Sequence, residues 1–137
     1  MSMTLKRIDA TVLFVADLDR ATAFSRDTLG LPLQSQDENS AVVAFETTLL
    51  LLLSIAGAQD LLSPDAVVAA RPTGARCQLV SFVEDVDAFY RAMVARGVEF
   101  VRQPVDRAWG LRTAHFTDPD GHLWEVAQPV TKGADQA

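Results

Sequence analysis

The chain has 137 residues, of which 49% are hydrophobic and 22% charged, so we expect one compact soluble domain, residues 1–137, with a core of its own. The formal net charge of −6 has the wrong sign for neutralising phosphates, which argues against a nucleic-acid partner. The longest uncharged apolar stretch, residues 47–58, is shorter than the roughly 20 residues that cross a bilayer, which argues against a membrane partner. The single cysteine and the absence of an apolar signal-peptide core predict a cytoplasmic protein.

The first half of the chain predicts a module of one strand, one helix and three further strands, over residues of about 6–54. An apolar strand from Ile8 to Val15 leads to Asp17, whose carboxylate can cap a helix, and the helix is expected to end at Gly30. Three short strands follow, at residues 31–36, 41–46 and 48–54.

The middle of the chain, residues 55–75, predicts a connector between modules. It contains Gly57, Pro64, Pro72 and Gly74, and both residue types interrupt regular structure. We expect a helical turn near residues 63–70.

The second half, residues of about 76–129, repeats the first. The segment Val15–Ala21 is echoed by Val83–Phe89, 68 positions later, and Asp85 and Gly97 again stand where a helix begins and ends. The predicted helix carries an apolar stripe, and Asp118–Gly121 predicts a turn between the last two strands. The stripe is Val86, Phe89, Tyr90, Met93 and Val94, and the strands are residues 79–83, 98–102, 111–117 and 123–128.

These features resemble the vicinal oxygen chelate superfamily, which includes glyoxalase I, the bleomycin-resistance proteins and the extradiol dioxygenases. The most specific match is Trp109 to Glu125, with its tryptophan-glycine-x-arginine start, aspartate-proline-aspartate-glycine turn and final glutamate. The resemblance implies an α+β fold in which two tandem βαβββ modules form a curled mixed sheet cup with helices outside. It also implies a small-molecule ligand and a homodimer.

The same resemblance implies metal ligands on the first and last strands of each module. Those positions hold Ala10 and one of Leu50–Leu52 in the first module, and Gln78 and Glu125 in the second. Alanine and leucine bind no metal, so we expect no cofactor. A divalent metal held by Gln78, His115 and Glu125 stays open, because a one-residue change of hairpin register decides whether His115 and Glu125 share a face.

A cup without an ion would have a mostly apolar lining with a few polar groups, as is usual for small-molecule sites. Two alternatives stay open: the tryptophans could instead fill the core, and Arg112 could anchor its strand through Asp106 or Asp120. Cys77 is predicted to be an inert, buried thiol. The predicted ligand-binding residues are Phe14, Gln78, Phe82, Trp109, Arg112, His115, Trp124 and Glu125.

We therefore expect a protein that sequesters an antibiotic-like or aromatic ligand without a metal. The alternative is a metal-dependent lyase or isomerase of the glyoxalase type, in which Glu125 is catalytic. A metal-free isomerase that uses Glu125 as a base also stays open. A dioxygenase ranks third, ahead of this isomerase but below the first two hypotheses, because the two-histidine, one-carboxylate set for ferrous iron has no match at Ala10 or Gln78.

Overall fold

The computed structural model describes residues 3–67 and 75–130 and divides into two compact units, Met1–Arg71 and Pro72–Ala137. Each unit contains a four-stranded mixed sheet with helices packed against it. The predicted α+β class and the two tandem βαβββ modules are confirmed. The remainder of the predicted connector, residues 68–74, lies outside the described residues.

The first unit has strand order β1-β4-β3-β2, with β1 parallel to β4 and the other pairs antiparallel. Its buried sheet face holds Leu13, Val43, Leu50 and Leu52. Its elements are β1 (Ala10–Val15), α1 (Leu18–Ala23), a π-helical turn (Phe24–Thr28), β2 (Leu33–Gln36), β3 (Ser40–Ala44), β4 (Leu49–Ser54), α2 (Ile55–Leu61) and a 3-10 turn (Pro64–Ala66).

The first helix begins where its capping residue predicts. The Asp17 carboxylate accepts a hydrogen bond of 3.1 Å from the amide of Arg20, which satisfies a donor of the first turn. The last turn widens to a π-helix, in which the Leu29 amide donates to the Phe24 carbonyl at 2.9 Å. Gly30 then takes a φ of +76°, so the chain leaves the helix at the predicted glycine.

The predicted connector contains a helix that the sequence analysis did not place: Ile55–Leu61 forms α2. Ser54 caps this helix, because its hydroxyl accepts from the Gly57 amide at 3.0 Å. Gly57 stands inside the helix because a Cβ there would lie 2.9 Å from Leu53 Cδ1. The glycine therefore marks a close approach and not the end of regular structure.

The second unit repeats the topology, with strand order β5-β8-β7-β6 and β5 parallel to β8. Asp85 caps its helix by accepting from the Ala88 amide at 3.0 Å, and Gly97 follows with a φ of +88°. Both predicted helix ends are confirmed. The elements are β5 (Gln78–Phe82), α3 (Val86–Ala95), β6 (Phe100–Asp106), β7 (Leu111–Thr117) and β8 (Leu123–Pro129).

An aromatic core joins α3 to its sheet. Phe116 is 1% exposed, and its ring centroid lies 5.9 Å from that of Phe89 on α3 and 6.0 Å from that of Trp124 on β8. The amide of Val86 also donates to the Gln128 side chain at 2.6 Å. Because side chains alternate along a strand, the residues between these lie on the sheet face that α3 does not cover. Within the described residues, no helix is long and apolar enough to span a membrane.

Candidate functional site

The candidate site lies on the second sheet, on the face opposite α3, which we call the second-sheet face. The β7–β8 register pairs His115 directly with Glu125, so their side chains point to the same side. The parallel pairing of β5 with β8 sets Val80 beside Glu125, with Gln78 two residues earlier on the same face. Three predicted site residues from three strands are therefore brought together.

Gln78, His115 and Glu125 form a hydrogen-bonded polar cluster. Glu125 Oε1 lies 2.8 Å from His115 Nε2 and accepts from Gln78 Nε2 at 3.2 Å. Because a carboxylate oxygen accepts, the shared hydrogen belongs to Nε2 of the histidine. The side chains of His115 and Glu125 are each 14% exposed, so the cluster is largely shielded but reachable.

The second oxygen of this carboxylate is uncommitted. Within the described part of the chain, no group bonds Glu125 Oε2, and this oxygen is not among the buried atoms that lack a partner. The side chains of Val80 and Phe82 border the cluster and are 50% and 62% exposed. An oriented acceptor beside exposed apolar surface is the usual composition of a ligand site.

The residues at the implied metal positions do not fit a four-ligand ion site. Leu51 pairs with Val12 in the first unit as Glu125 pairs with Val80 in the second, so Leu51 is the counterpart of Glu125. Ala10 is likewise the counterpart of Gln78. Among the residues that the structure describes, no group of three or more His, Cys, Asp or Glu side chains is placed to hold a metal.

Trp124 lies on the other side of the sheet from the polar cluster. It is 6% exposed, its ring stacks on Phe116 at an interplanar angle of 6°, and its indole N–H donates to Asp118 Oδ2 at 3.3 Å. The tryptophan is a core residue of the α3 side, which was the alternative weighed from the sequence.

Arg112 also points toward α3. Its guanidinium bonds Asp87 at 3.0 Å and Asp106 at 2.9 Å, and the hydrogen bonds to Asp87 and then Asp106 raise the pKa of Arg112. The anchoring to Asp106 was considered from the sequence, whereas Asp87, 25 residues away, was not. The guanidinium of Arg112 is already paired with Asp87 and Asp106, so this side chain does not join the polar cluster.

The other two predicted aromatic residues do not stand on the three strands that carry the cluster. Trp109 stands in the β6–β7 turn and is 69% exposed, with the guanidinium of Arg107 5.9 Å from its ring centroid. Phe14 belongs to the first unit, on the face of its own sheet that carries Val12 and Leu53. Cys77 is exposed, so the prediction of a buried thiol was wrong: the residue precedes β5 and does not enter the core.

The Asp118 carboxylate holds the turn that sets the register of His115 and Glu125. Oδ1 accepts from the amides of Asp120 and His122, each at 3.0 Å. Burial raises the pKa of Asp118, and His122 and these hydrogen bonds oppose that shift. The turn is thus fixed by one largely buried side chain.

Sequence reasoning missed Arg107. This arginine is half-buried, and its Nε donates to the hydroxyl of Thr113, which is 1% exposed, at 2.9 Å. Thr113 alternates with His115 along β7, so both point to the second-sheet face. The only sequence signal is that Arg107 stands two residues before the exposed Trp109.

Comparisons with known proteins agree with this architecture. A family model of the Glyoxalase/Bleomycin resistance protein/Dioxygenase superfamily matches residues 7–126. The uncharacterized protein YraH of Bacillus subtilis (strain 168) is 31% identical over 117 residues, which are 83% of this chain and 91% of that protein.

Solved structures show the same fold. A glyoxalase/bleomycin resistance protein/dioxygenase from Nocardioides superposes with a TM-score of 0.84 at 24% identity, covering 96% of this chain and 89% of that one. Lactoylglutathione lyase from Agrobacterium tumefaciens superposes with a TM-score of 0.72 at 22% identity, covering 90% and 94%. Likeness at these identities shows the fold and leaves the chemistry to the site.

Proposed function

The chain belongs to the Glyoxalase/Bleomycin resistance protein/Dioxygenase superfamily, and we propose that it binds an antibiotic-like or aromatic small molecule without a metal ion. The observation that carries this proposal is the Glu125 carboxylate, with Oε1 held by Gln78 and His115 and Oε2 uncommitted within the described residues. Such a group binds a hydroxyl or N–H of a ligand whose apolar body rests on neighbouring side chains.

Two energetic terms favour such a complex. Covering the exposed side chains of Val80 and Phe82 contributes about 25 cal/mol for each Å² of apolar surface removed from water. A hydrogen bond to a charged carboxylate adds roughly 1.5–3 kcal/mol. Because Gln78 and His115 already restrain Glu125, little side-chain entropy is lost when the ligand binds.

The metal-free part of the proposal follows from the donor set. Two of the four positions implied by the family hold Ala10 and Leu51, neither of which carries a donor atom. The two groups around Glu125 Oε1 already satisfy that oxygen as hydrogen-bond donors. The oxygen that would have to bind an ion is therefore already engaged, while His115 Nδ1 is buried without a partner within the described residues.

A metal-dependent lyase or isomerase of the glyoxalase type is the second candidate. It is favoured by one observation, the convergence of an imidazole, a carboxylate and an amide from three strands, and Glu125 would then be its catalytic residue. A dioxygenase is less favoured, because in the described residues a single histidine, His115, bonds Glu125.

Elemental analysis of the freshly purified, untagged protein separates these candidates. The protein is incubated with manganese, iron, nickel or zinc, freed of excess ion and compared with Glu125→Ala. Glu84→Ala, at an exposed carboxylate before α3, is the matched control. We expect well below one ion per chain in all three proteins. About one ion per chain, lost in Glu125→Ala and kept in Glu84→Ala, would contradict the metal-free proposal and support the lyase.

We propose further that the protein is a cytoplasmic homodimer, since members of this superfamily often dimerise. Sedimentation equilibrium tests the dimer directly against the chain mass of 14.9 kDa. A mass near twice that value is expected, and a single species at the chain mass at micromolar concentration would contradict the proposal.

A further inference from the structure

Arg107 differs from the other arginines of the second unit in being both half-buried and free of carboxylates. Arg76, Arg91, Arg96 and Arg102 are exposed, and the half-buried Arg112 is occupied by Asp87 and Asp106. Within the described residues, Arg107 makes no ion pair, and its guanidinium bonds only the neutral hydroxyl of Thr113. Its terminal nitrogens are not among the buried atoms that lack a partner, so they are open to solvent and can bind an anion.

The contact with Thr113 fixes how this guanidinium is presented. It uses Nε alone, which leaves the two terminal nitrogens as a pair of donors with the spacing of a carboxylate or phosphate. The exposed ring of Trp109 packs 5.9 Å from the guanidinium carbon, which supports the cation from one side. The arginine is thus held on two sides with its binding edge available.

We propose that Arg107 binds an oxyanion group, a carboxylate or a phosphate, on the small molecule that the second-sheet face holds. This inference rests on the proposed function and narrows its ligand to an aromatic compound with an anionic end. In a chain with a formal net charge of −6, general electrostatics repel such a ligand, so a dedicated cation is needed to select it.

The spacing along β7 is compatible with a single ligand that reaches both Arg107 and Glu125. Thr113, which holds Arg107, is two residues from His115 on β7, a separation of about 7 Å along a strand. An aromatic ring with a hydroxyl at one end and an oxyanion at the other is of similar length. The hydroxyl would donate to Glu125 while the oxyanion accepts from Arg107.

The test measures binding of 4-hydroxybenzoate by isothermal titration calorimetry to wild type, Arg107→Gln and Arg107→Lys. The neutral 4-hydroxybenzamide and phenyl phosphate are the comparison probes. Arg91→Gln is the matched control, because Arg91 is an exposed arginine on α3, which packs against the opposite side of the second sheet. Thermal unfolding of each variant shows that the fold is retained.

We expect wild type to bind the acid at least tenfold more tightly than the amide. Arg107→Gln should lose that preference, Arg107→Lys should keep part of it because the charge remains without the fork, and Arg91→Gln should stay within threefold of wild type. Tighter binding of phenyl phosphate than of the acid would assign a phosphate as the oxyanion.

Equal binding of acid and amide by wild type, or unchanged binding by Arg107→Gln, would overturn the role of Arg107 while leaving the proposed function standing. Absence of binding by all three probes at 10 mM would also overturn it. Loss of amide binding in Glu125→Gln reports on the proposed function separately, since the amide carries no charge for Arg107.

Discussion

The two units share a backbone plan but carry opposite chemistry at equivalent positions. In each, a first strand runs parallel to a last strand that pairs antiparallel with its neighbour. The second unit places a hydrogen-bonded amide, carboxylate and imidazole on the face of its sheet opposite α3. The equivalent triplets are Gln78, Glu125 and His115 in the second unit and Ala10, Leu51 and Val42 in the first.

The difference shows that the sheet does not require polar residues at these positions. The first unit keeps the same register with three apolar side chains, so the polar cluster of the second unit is not needed for strand pairing. Within the described residues, the cluster also leaves His115 Nδ1 buried without a partner, a cost that strand pairing does not explain. The cluster is therefore best explained by what it binds.

The largest expected effect contrasts the two tryptophans. Trp124→Ala removes a ring that is 6% exposed and stacked on Phe116, so we expect the free energy of unfolding to fall by about 3–5 kcal/mol. Trp109→Ala removes a ring that is 69% exposed and should cost below about 0.5 kcal/mol. Urea unfolding of both variants measures this, and equal losses would contradict the placement of the two rings.

The next expected effect comes from placing the carboxylate and imidazole of the second unit at the equivalent positions of the first. Leu51→Glu places a carboxylate on a half-buried site where neither an amide nor an imidazole is present, and should destabilise the protein by about 1–3 kcal/mol. Adding Val42→His, which faces residue 51 in register, should recover about 0.5–1 kcal/mol through coupling. Leu51→Met is the control for altered packing, and strictly additive effects would show that the two positions do not meet.

The pKa values of the two turn aspartates, Asp118 and Asp37, should be shifted in opposite directions. Burial raises the pKa of Asp118 above its ordinary 3.8, whereas amide hydrogen bonds from Asn39 and Ser40 lower the pKa of the exposed Asp37. By linkage, the contribution of Asp118 to stability falls as the pH rises from 3.8 through its folded value. The contribution of Asp37 is present above pH 3.8 and is lost as the pH falls through its folded value.

Carboxyl carbon chemical shifts followed by NMR from pH 2 to 8 measure both groups in one sample. A titration midpoint of Asp37 equal to or above that of Asp118 would contradict this account.

The smallest effect concerns ion pairs. Arg112 and Asp87 have side chains that are 30% and 44% exposed and share two or more hydrogen bonds, so a double-mutant cycle should give a coupling of about 0.5–1 kcal/mol. Arg26 and Asp27 in the first unit, at 47% and 62%, should give a smaller coupling, because solvent screens the more exposed pair. A larger coupling for the more exposed pair would contradict the account of both.

The fold could be predicted because its signals are local and occur twice. Asp17 and Asp85 cap helices through hydrogen bonds within three residues, and Gly30 and Gly97 adopt the positive φ that a glycine permits. The α2 helix was missed for the opposite reason. The sequence suggests that Gly57 interrupts regular structure. In the folded chain it lies inside a helix, at a point where the Leu53 side chain packs close to the backbone.

The site was predicted in its residue types but not in its arrangement. Gln78, His115 and Glu125 were candidates, yet their convergence depends on the β7–β8 register, which the half-buried Asp118 in the turn holds. Trp124 and Arg112 were assigned to the ligand side, whereas residue alternation turns both toward α3. No sequence motif singles out Arg107, because its contact with Thr113 forms only when the hairpin folds.

The central claim is that ligand chemistry belongs to the second unit, and amide NMR with a set of neutral and anionic aromatic fragments tests it most directly. We expect concentration-dependent shifts at Gln78, His115 and Glu125 that disappear in Glu125→Gln. Ala10, Val42 and Leu51 should not respond. Shifts centred on the first triplet, or shifts at the second triplet that persist in Glu125→Gln, would contradict this account.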